Sequence, residues 1–150
     1  MRKIEVRAFS KGRRAEDVFP IISDFERYMM HSDVVRSVKI LENGGQSSVS
    51  DWEVNFRQGI LKWRERDLFN LKEFTIDFEQ LEGDAEHFSG RWSLHDTDGG
   101  CEIEFAAQFD MGIPSLKDII EPIAEQALQE NIQAILIGLL DHEVEFIKRE

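Results

Sequence analysis

Residues 115–148, SLKDIIEPIAEQALQENIQAILIGLLDHEVEFIK, decide how the rest of the chain is read. The apolar residues Leu116, Ile119, Ile120, Ile123, Ala127, Leu128, Ile132, Ile135, Leu139, Val144 and Ile147 recur at helical spacing. The only prolines nearby are Pro114, just before the segment, and Pro122, within its first turns. The spacing predicts one amphipathic helix of roughly 30 residues, about 45 Å long at 1.5 Å per residue. An apolar stripe of that length needs a broad, concave, apolar partner.

The upstream sequence supplies one. Period-two alternation marks seven strands, at residues 3–9, 34–41, 47–57, 60–69, 74–81, 86–96 and 101–111. Turn signals close several of them: Asn43-Gly44-Gly45, Gln58-Gly59, Gly83-Asp84 and Asp98-Gly99-Gly100. Between the first two strands, residues 15–23 carry Val18, Phe19, Ile21 and Ile22, and residues 24–31 carry Phe25, Tyr28 and Met29. Both read as short helical pieces. Short loops between consecutive strands favour an antiparallel meander. The expected fold class is α+β: a seven-stranded curved antiparallel sheet around a long C-terminal helix, with two short helices after strand one. A curved sheet gripping a helix leaves a cavity between them, and such cavities hold ligands. No repeat or linker interrupts the chain, so residues 1–150 are read as one domain.

Alternation also says which side chains face the helix. The inward set is Trp52, Val54 and Phe56 on the third strand, and Phe74, Ile76 and Phe78 on the fifth. The sixth adds Phe88, Gly90, Trp92 and Leu94, and the seventh Cys101, Ile103, Phe105, Ala107 and Phe109. The fourth strand breaks the pattern. One face carries Leu61, Trp63, Glu65, Asp67 and Phe69; the other carries Ile60, Lys62, Arg64, Arg66 and Leu68. Leu61, Trp63 and Phe69 favour turning the first set inward, which brings two carboxylates onto the cavity face. Such groups are costly unless hydrated or hydrogen-bonded, and their proximity raises at least one pKa, which suits acid or base work near neutral pH. The alternative is a strand running beyond the core, with both carboxylates at a wet cavity mouth.

Composition narrows the partners. Apolar residues make up 41% of the chain and eleven are phenylalanine, as a packed core requires. Thirty acidic residues against 18 basic give a net charge of −12, a field that repels nucleic-acid phosphates, so nucleic acid is not an expected partner. No apolar run reaches the ~20 residues of a membrane span. The opening Met-Arg-Lys-Ile-Glu-Val lacks the apolar core of a signal peptide, and the lone Cys101 forms no internal disulfide. A cytoplasmic location is the simplest expectation. His31, His87, His95 and His142 show no metal-ligand spacing, and no phosphate loop or nucleophile elbow is present. Neither metal nor cofactor is expected.

Four short elements carry a family resemblance: Ser23-Asp24-Phe25-Glu26-Arg27-Tyr28, Phe88-Ser89-Gly90-Arg91-Trp92-Ser93-Leu94, Gln108-Phe109-Asp110-Met111 followed by Gly112-Ile113-Pro114, and Glu130-Asn131-Ile132. In this order they resemble the polyketide cyclase/dehydrase and coenzyme Q-binding branch of the START-like (SRPBCC) superfamily. The resemblance covers nearly the whole chain and implies a helix-grip fold, like START domains and birch-pollen allergens, with a cavity for hydrophobic molecules. In aromatase/cyclases of this kind the cavity folds a carrier-tethered poly-β-ketone, directs aldol ring closure and promotes loss of water. By position, Tyr28 and Trp63 match aromatic wall residues, while Glu65 and Asp67 fall where cyclases place polar cavity groups. The chain departs from the pattern where it counts chemically. The strand-four arginine of cyclases is Asp67 here, a tyrosine after the second short helix is Val35, and Met29 replaces a proline.

The candidate catalytic residues are therefore Glu65, Asp67 and Tyr28. An ionised Asp67 serves as base, and a protonated Glu65 or Tyr28 as donor to the enolate or leaving hydroxyl. The candidate substrate-binding residues are Trp63, Trp52, Phe56, Phe78, Phe88, Trp92, Phe109 and Ile113, each of which could instead be core packing. Asn131 reads as structural, since a mid-helix amide more often bonds nearby backbone. The leading function is cyclisation and dehydration of a poly-β-ketone, free or carrier-tethered. The alternative is a non-catalytic carrier of a quinone or lipid. A third class, protein-binding modules of the ribosome-association type, fits poorly with the charge of −12.

Overall fold

Alternating polarity at the start of the chain produces β1 (Arg2–Lys11), with Ile4, Val6 and Ala8 buried. The computed structural model describes residues 1–57 and 59–147. After β1 come α1 (Ala15–Ser23), a 3₁₀ turn (Phe25–Arg27) and α2 (Tyr28–His31). Next are β2 (Val35–Asn43), β3 (Ser47–Phe56), β4 (Gly59–Asn70), β5 (Thr75–Gly83), β6 (His87–Thr97) and β7 (Gly100–Asp110). A second 3₁₀ turn (Pro114–Leu116) leads into α3 (Lys117–Leu139), and a short strand β8 (Glu145–Phe146) follows. Neighbouring strands pair antiparallel in the order β2-β3-β4-β5-β6-β7-β1-β8. The seven predicted strands all lie within two residues of their expected bounds. The second short helix is a 3₁₀ turn leading into a single α-turn. Gln58 of the predicted Gln58-Gly59 turn lies outside the described residues, as does Lys148 at the predicted end of the long helix.

The C-terminal helix is shorter than its apolar period predicts, at 23 residues. It stops where Asp141 and His142 take positive φ values of 53° and 65°. His142 N–H donates to Ile137 O (2.9 Å) and Leu140 N–H to Leu136 O (3.0 Å). This is a Schellman-type closure, with Asp141 in the left-handed place that glycine usually fills. The chain then turns back along β1, where Phe146 stands opposite Ala8 and Ile147 N–H donates to Arg7 O at 2.9 Å. An eighth strand thus joins the seven predicted, and Val144 and Phe146 pack on the core from an extended segment.

The first turns of α3 depart from expectation too. Leu116, Ile119 and Ile123 are 43%, 65% and 47% exposed, while Glu121, Ala124 and Leu128 are buried. These three buried residues keep helical spacing, so the stripe is present but its first member is a carboxylate. Met111 N–H donates to Glu121 Oε2 at 3.4 Å, at the bend between β7 and α3.

Candidate functional site

Strand parity places the carboxylates inside. Glu65 is 4% exposed and Asp67 fully buried, whereas Lys62 and Arg66 are exposed and Arg64 is partly so, paired with Asp51 at 2.7 Å. The register between β3 and β4 sets Trp52 opposite Trp63, Ser50 opposite Glu65 and Ser48 opposite Asp67. Hydroxyls on one strand therefore meet carboxyls on the next. Ser50 Oγ donates to Asp67 Oδ2 at 2.7 Å and Ser48 Oγ to the same oxygen at 3.2 Å. Trp52 Nε1–H donates to Ser50 Oγ at 2.8 Å, and Trp63 Nε1–H to Glu65 Oε1 at 2.6 Å. These are the polar contacts that a buried carboxylate needs.

The two carboxyls are not equivalent. Burial, then the hydrogen bond to and charge of Asp67, push Glu65 well above the usual carboxylate range, against the opposing Trp63 N–H. Burial also raises Asp67, but contacts with Glu65, Ser50 and Ser48 hold it down. Both are raised, Glu65 the further, so Glu65 is the carboxyl of the pair that holds a proton to higher pH. Asp67 Oδ1 meets no ordinary donor.

Glu65 lines a cavity between the sheet and α3 whose volume is about 60 Å³. Its walls are aromatic. Trp52 and Trp63 stack with ring centroids 5.7 Å apart and planes 3° from parallel. Phe88 meets Trp63 edge-on at 5.4 Å, and Trp92 meets Phe105 at 4.7 Å. Of the predicted binding residues, Trp52, Trp63, Phe78, Phe88 and Trp92 line this space. Phe109 is buried in the core away from it, Phe56 packs half-buried against the core, and Ile113 is 44% exposed on the β7–α3 bend. The structure does not bring these three to the cavity. Alternation gives the inward face of a strand but not how far along that strand the cavity extends.

Two of the candidate catalytic residues do not offer a free polar group to the cavity. Tyr28 contributes its ring to the wall, but its hydroxyl donates to Ile22 O at 2.5 Å, and burial raises its pKa well above 10. Its proton is committed to the backbone. Asp67 does not line the cavity; it sits behind Glu65. Only Glu65 of the three presents an ionisable group to the interior. The sequence reading missed Phe25, Phe105, Ile132 and Ile135 as lining residues, along with Ser48 and Ser50. The serines carried a signal: they share the inward parity of Trp52. Asn131 is structural as expected, its Nδ2 donating to Asn55 O at 2.7 Å and tying α3 to β3, and its side chain also reaches the cavity. Among the described residues no group of three His, Cys, Asp or Glu is arranged to hold a metal. No helix among them is long and apolar enough to cross a membrane.

A curved antiparallel sheet closed over one long helix, with a cavity between them, defines a helix-grip protein. The same architecture recurs in solved structures. A protein from Thermus thermophilus superposes with a TM-score of 0.86 at 18% identity, covering 95% of this chain and 97% of that one. The Zhui aromatase/cyclase from a Streptomyces species gives 0.82 at 20% identity, covering 95% and 94%. A START superfamily protein from Mycobacterium smegmatis gives 0.76 at 18%, covering 93% and 97%. At these identities the likeness shows the fold alone. No curated protein sequence matches the chain. Residues 12–136 match the family model described as polyketide cyclase / dehydrase and lipid transport, and the chain belongs to that family.

Proposed function

We propose that this protein binds a hydrophobic ligand bearing a carbonyl or hydroxyl oxygen, and that Glu65 acts on that oxygen as a general acid. The reaction class is the aldol closure and dehydration of a β-ketone chain, free or carrier-tethered. One observation carries the reading: a buried carboxyl, Glu65, in an aromatic wall, backed by a second carboxyl, Asp67, that takes hydrogen bonds from Ser48 and Ser50 and helps to push Glu65 well above the usual carboxylate range. A ligand oxygen entering the cavity competes with Asp67 for the Glu65 proton. In dehydration, Glu65 protonates the leaving hydroxyl, the C–O bond breaks and water departs. The α C–H electron pair forms the new C=C bond and the Glu65 carboxylate collects that proton, so the acid is regenerated. Asp67 at its back raises the basicity of the Glu65 carboxylate and so favours the second half. The base role expected of Asp67 thereby passes to Glu65.

A second reading, carriage of a quinone or lipid without chemistry, is favoured by the small number of polar groups on the wall. Of the lining side chains, the Tyr28 hydroxyl and the Trp52 indole are bound elsewhere in the fold, and the Trp63 indole is bound to Glu65. One experiment separates the two. A β-hydroxyketone whose dehydration creates an absorbing enone is incubated with the protein and with Glu65→Gln. The proposal expects turnover lost in the variant with binding retained. Equal turnover in both removes Glu65 from the chemistry; none in either, together with a lipid or quinone co-purifying in native mass spectrometry, favours the carrier.

A further inference from the structure

The interior cavity is too small for the ligands just considered. About 60 Å³ holds a few waters, whereas ~150 Å³ is needed to hold benzene and small-molecule sites run to ~300–1,000 Å³. A wall must therefore move, and the fold shows which one. Phe25 lines the cavity and also lines a separate surface pocket of about 300 Å³. That pocket lies between the 3₁₀ turn, the β2–β3 hairpin and the β4–β5 turn, with Ile40, Asn43, Phe69 and Leu71 on its walls. The Phe25 ring touches Trp52 and Tyr28 on the inner side, at 5.2 and 5.6 Å, and Phe69 on the outer side at 5.6 Å. A single ring is the partition at this point.

We infer that the outer pocket is a second subsite of one ligand site, joined to the interior when Phe25 swings aside, and that it takes the hydroxyl-bearing or cationic end of an elongated hydrophobic molecule. The inference rests on reading the interior as a ligand site. Three features support it. Phe25 sits in a three-residue 3₁₀ turn whose preceding residue, Asp24, makes no side-chain cap, so few backbone bonds hold the ring in place. Joining the two spaces brings the volume into the range of small-molecule sites. The outer pocket is also chemically distinct, with Asp24 and Glu26 at its rim, a buried Ser23 Oγ without a partner, and no lysine or arginine on its walls. Such a lining accepts hydrogen bonds and repels anions. Ser48 lines the outer pocket while donating to Asp67, and Glu65 lines the inner one, so a ligand spanning both lies along the carboxyl pair.

The test uses the uncharged fluorescent probe N-phenyl-1-naphthylamine, titrated into wild type, Phe25→Ala, Phe25→Leu and Leu71→Glu. Leu71 is 63% exposed and lies outside the interior, so its substitution leaves the fold intact. The inference expects about tenfold tighter binding when the ring is trimmed and about tenfold weaker binding for Leu71→Glu. Decylamine should displace the probe at about tenfold lower concentration than decanoate, and that gap should close in Asp24→Asn/Glu26→Gln. Probe binding that ignores both trimmed variants, or responds to them but not to Leu71→Glu, overturns the joined site. Preference for decanoate overturns its assigned chemistry. Probe that binds no form of the protein sinks the ligand reading itself, which is a separate failure.

Discussion

Trp63 and Glu65 are two places apart on one strand, and their side chains hydrogen-bond on its concave face, indole N–H to carboxyl Oε1 at 2.6 Å. That bond alone favours an ionised Glu65, yet burial and Asp67 together outweigh it. The sign of the resulting pH dependence follows. A carboxyl whose folded pKa lies above its unfolded value stabilises the fold fully below the unfolded pKa, and that contribution is lost as pH rises toward the folded one. Wild-type stability is therefore expected to fall above about pH 4.3, by up to about 1.4 kcal/mol per pH unit from this group. Glu65→Gln mimics the protonated acid and should flatten that component. Urea denaturation midpoints of both forms from pH 4 to 8 check it; parallel curves would contradict the assignment.

Asp67→Asn removes the charge and the carboxylate partner that raise Glu65, while leaving its burial, the largest cause, in place. The Glu65 midpoint should move down but stay above the ordinary carboxylate range. The protonated-carboxyl C=O band in infrared spectra, followed against pH in wild type and Asp67→Asn, measures this. An unchanged or higher midpoint would show that the two carboxyls do not share a proton.

The sequence made the inward turn of Glu65 and Asp67 legible because β4 also carries Leu61, Trp63 and Phe69 on that parity, and apolar burial outweighs the cost of two satisfied carboxylates. It did not show which carboxyl reaches the cavity, since depth depends on how β4 curves toward α3. The end of α3 was hidden for another reason: Asp141 performs a turn usually signalled by glycine, and Val144 and Phe146 prolong an apolar period that the backbone leaves. Glu121 shows the same limit from the other side. Glu121 occupies a buried place on α3 while Ile119 and Ile123 are exposed, so an apolar count alone misplaces the start of the stripe.

Gly138 on α3 stands where α2 crosses, and a Cβ there would overlap the His31 carbonyl oxygen. Backbone oxygen cannot rotate away as a side chain can, so α2 must shift. Gly138→Ala is expected to cost about 1–3 kcal/mol or more, despite alanine's better helix propensity. A denaturant midpoint at or above wild type would mean that α2 is free to move, and would loosen the wall that Tyr28 forms.

Ser50 is the joint between the aromatic wall and the buried charge, accepting from Trp52 Nε1 and donating to Asp67 Oδ2. Ser50→Ala orphans the Trp52 indole N–H and leaves Asp67 Oδ2 with only the longer bond from Ser48. Leaving buried polar groups unpaired costs about 1–3 kcal/mol, more where one is charged. The Ser50 bond holds Asp67 down, so its loss raises the Asp67 pKa. The cost of Ser50→Ala must then shrink as pH falls through the range in which Asp67 takes up its proton, because a neutral carboxyl has less need of the donor. Unfolding free energies of wild type and Ser50→Ala at pH 7 and pH 4 are the measurement. A cost that stays the same at both would mean that Asp67 does not change its charge between them, and its proton uptake would not lie in this range.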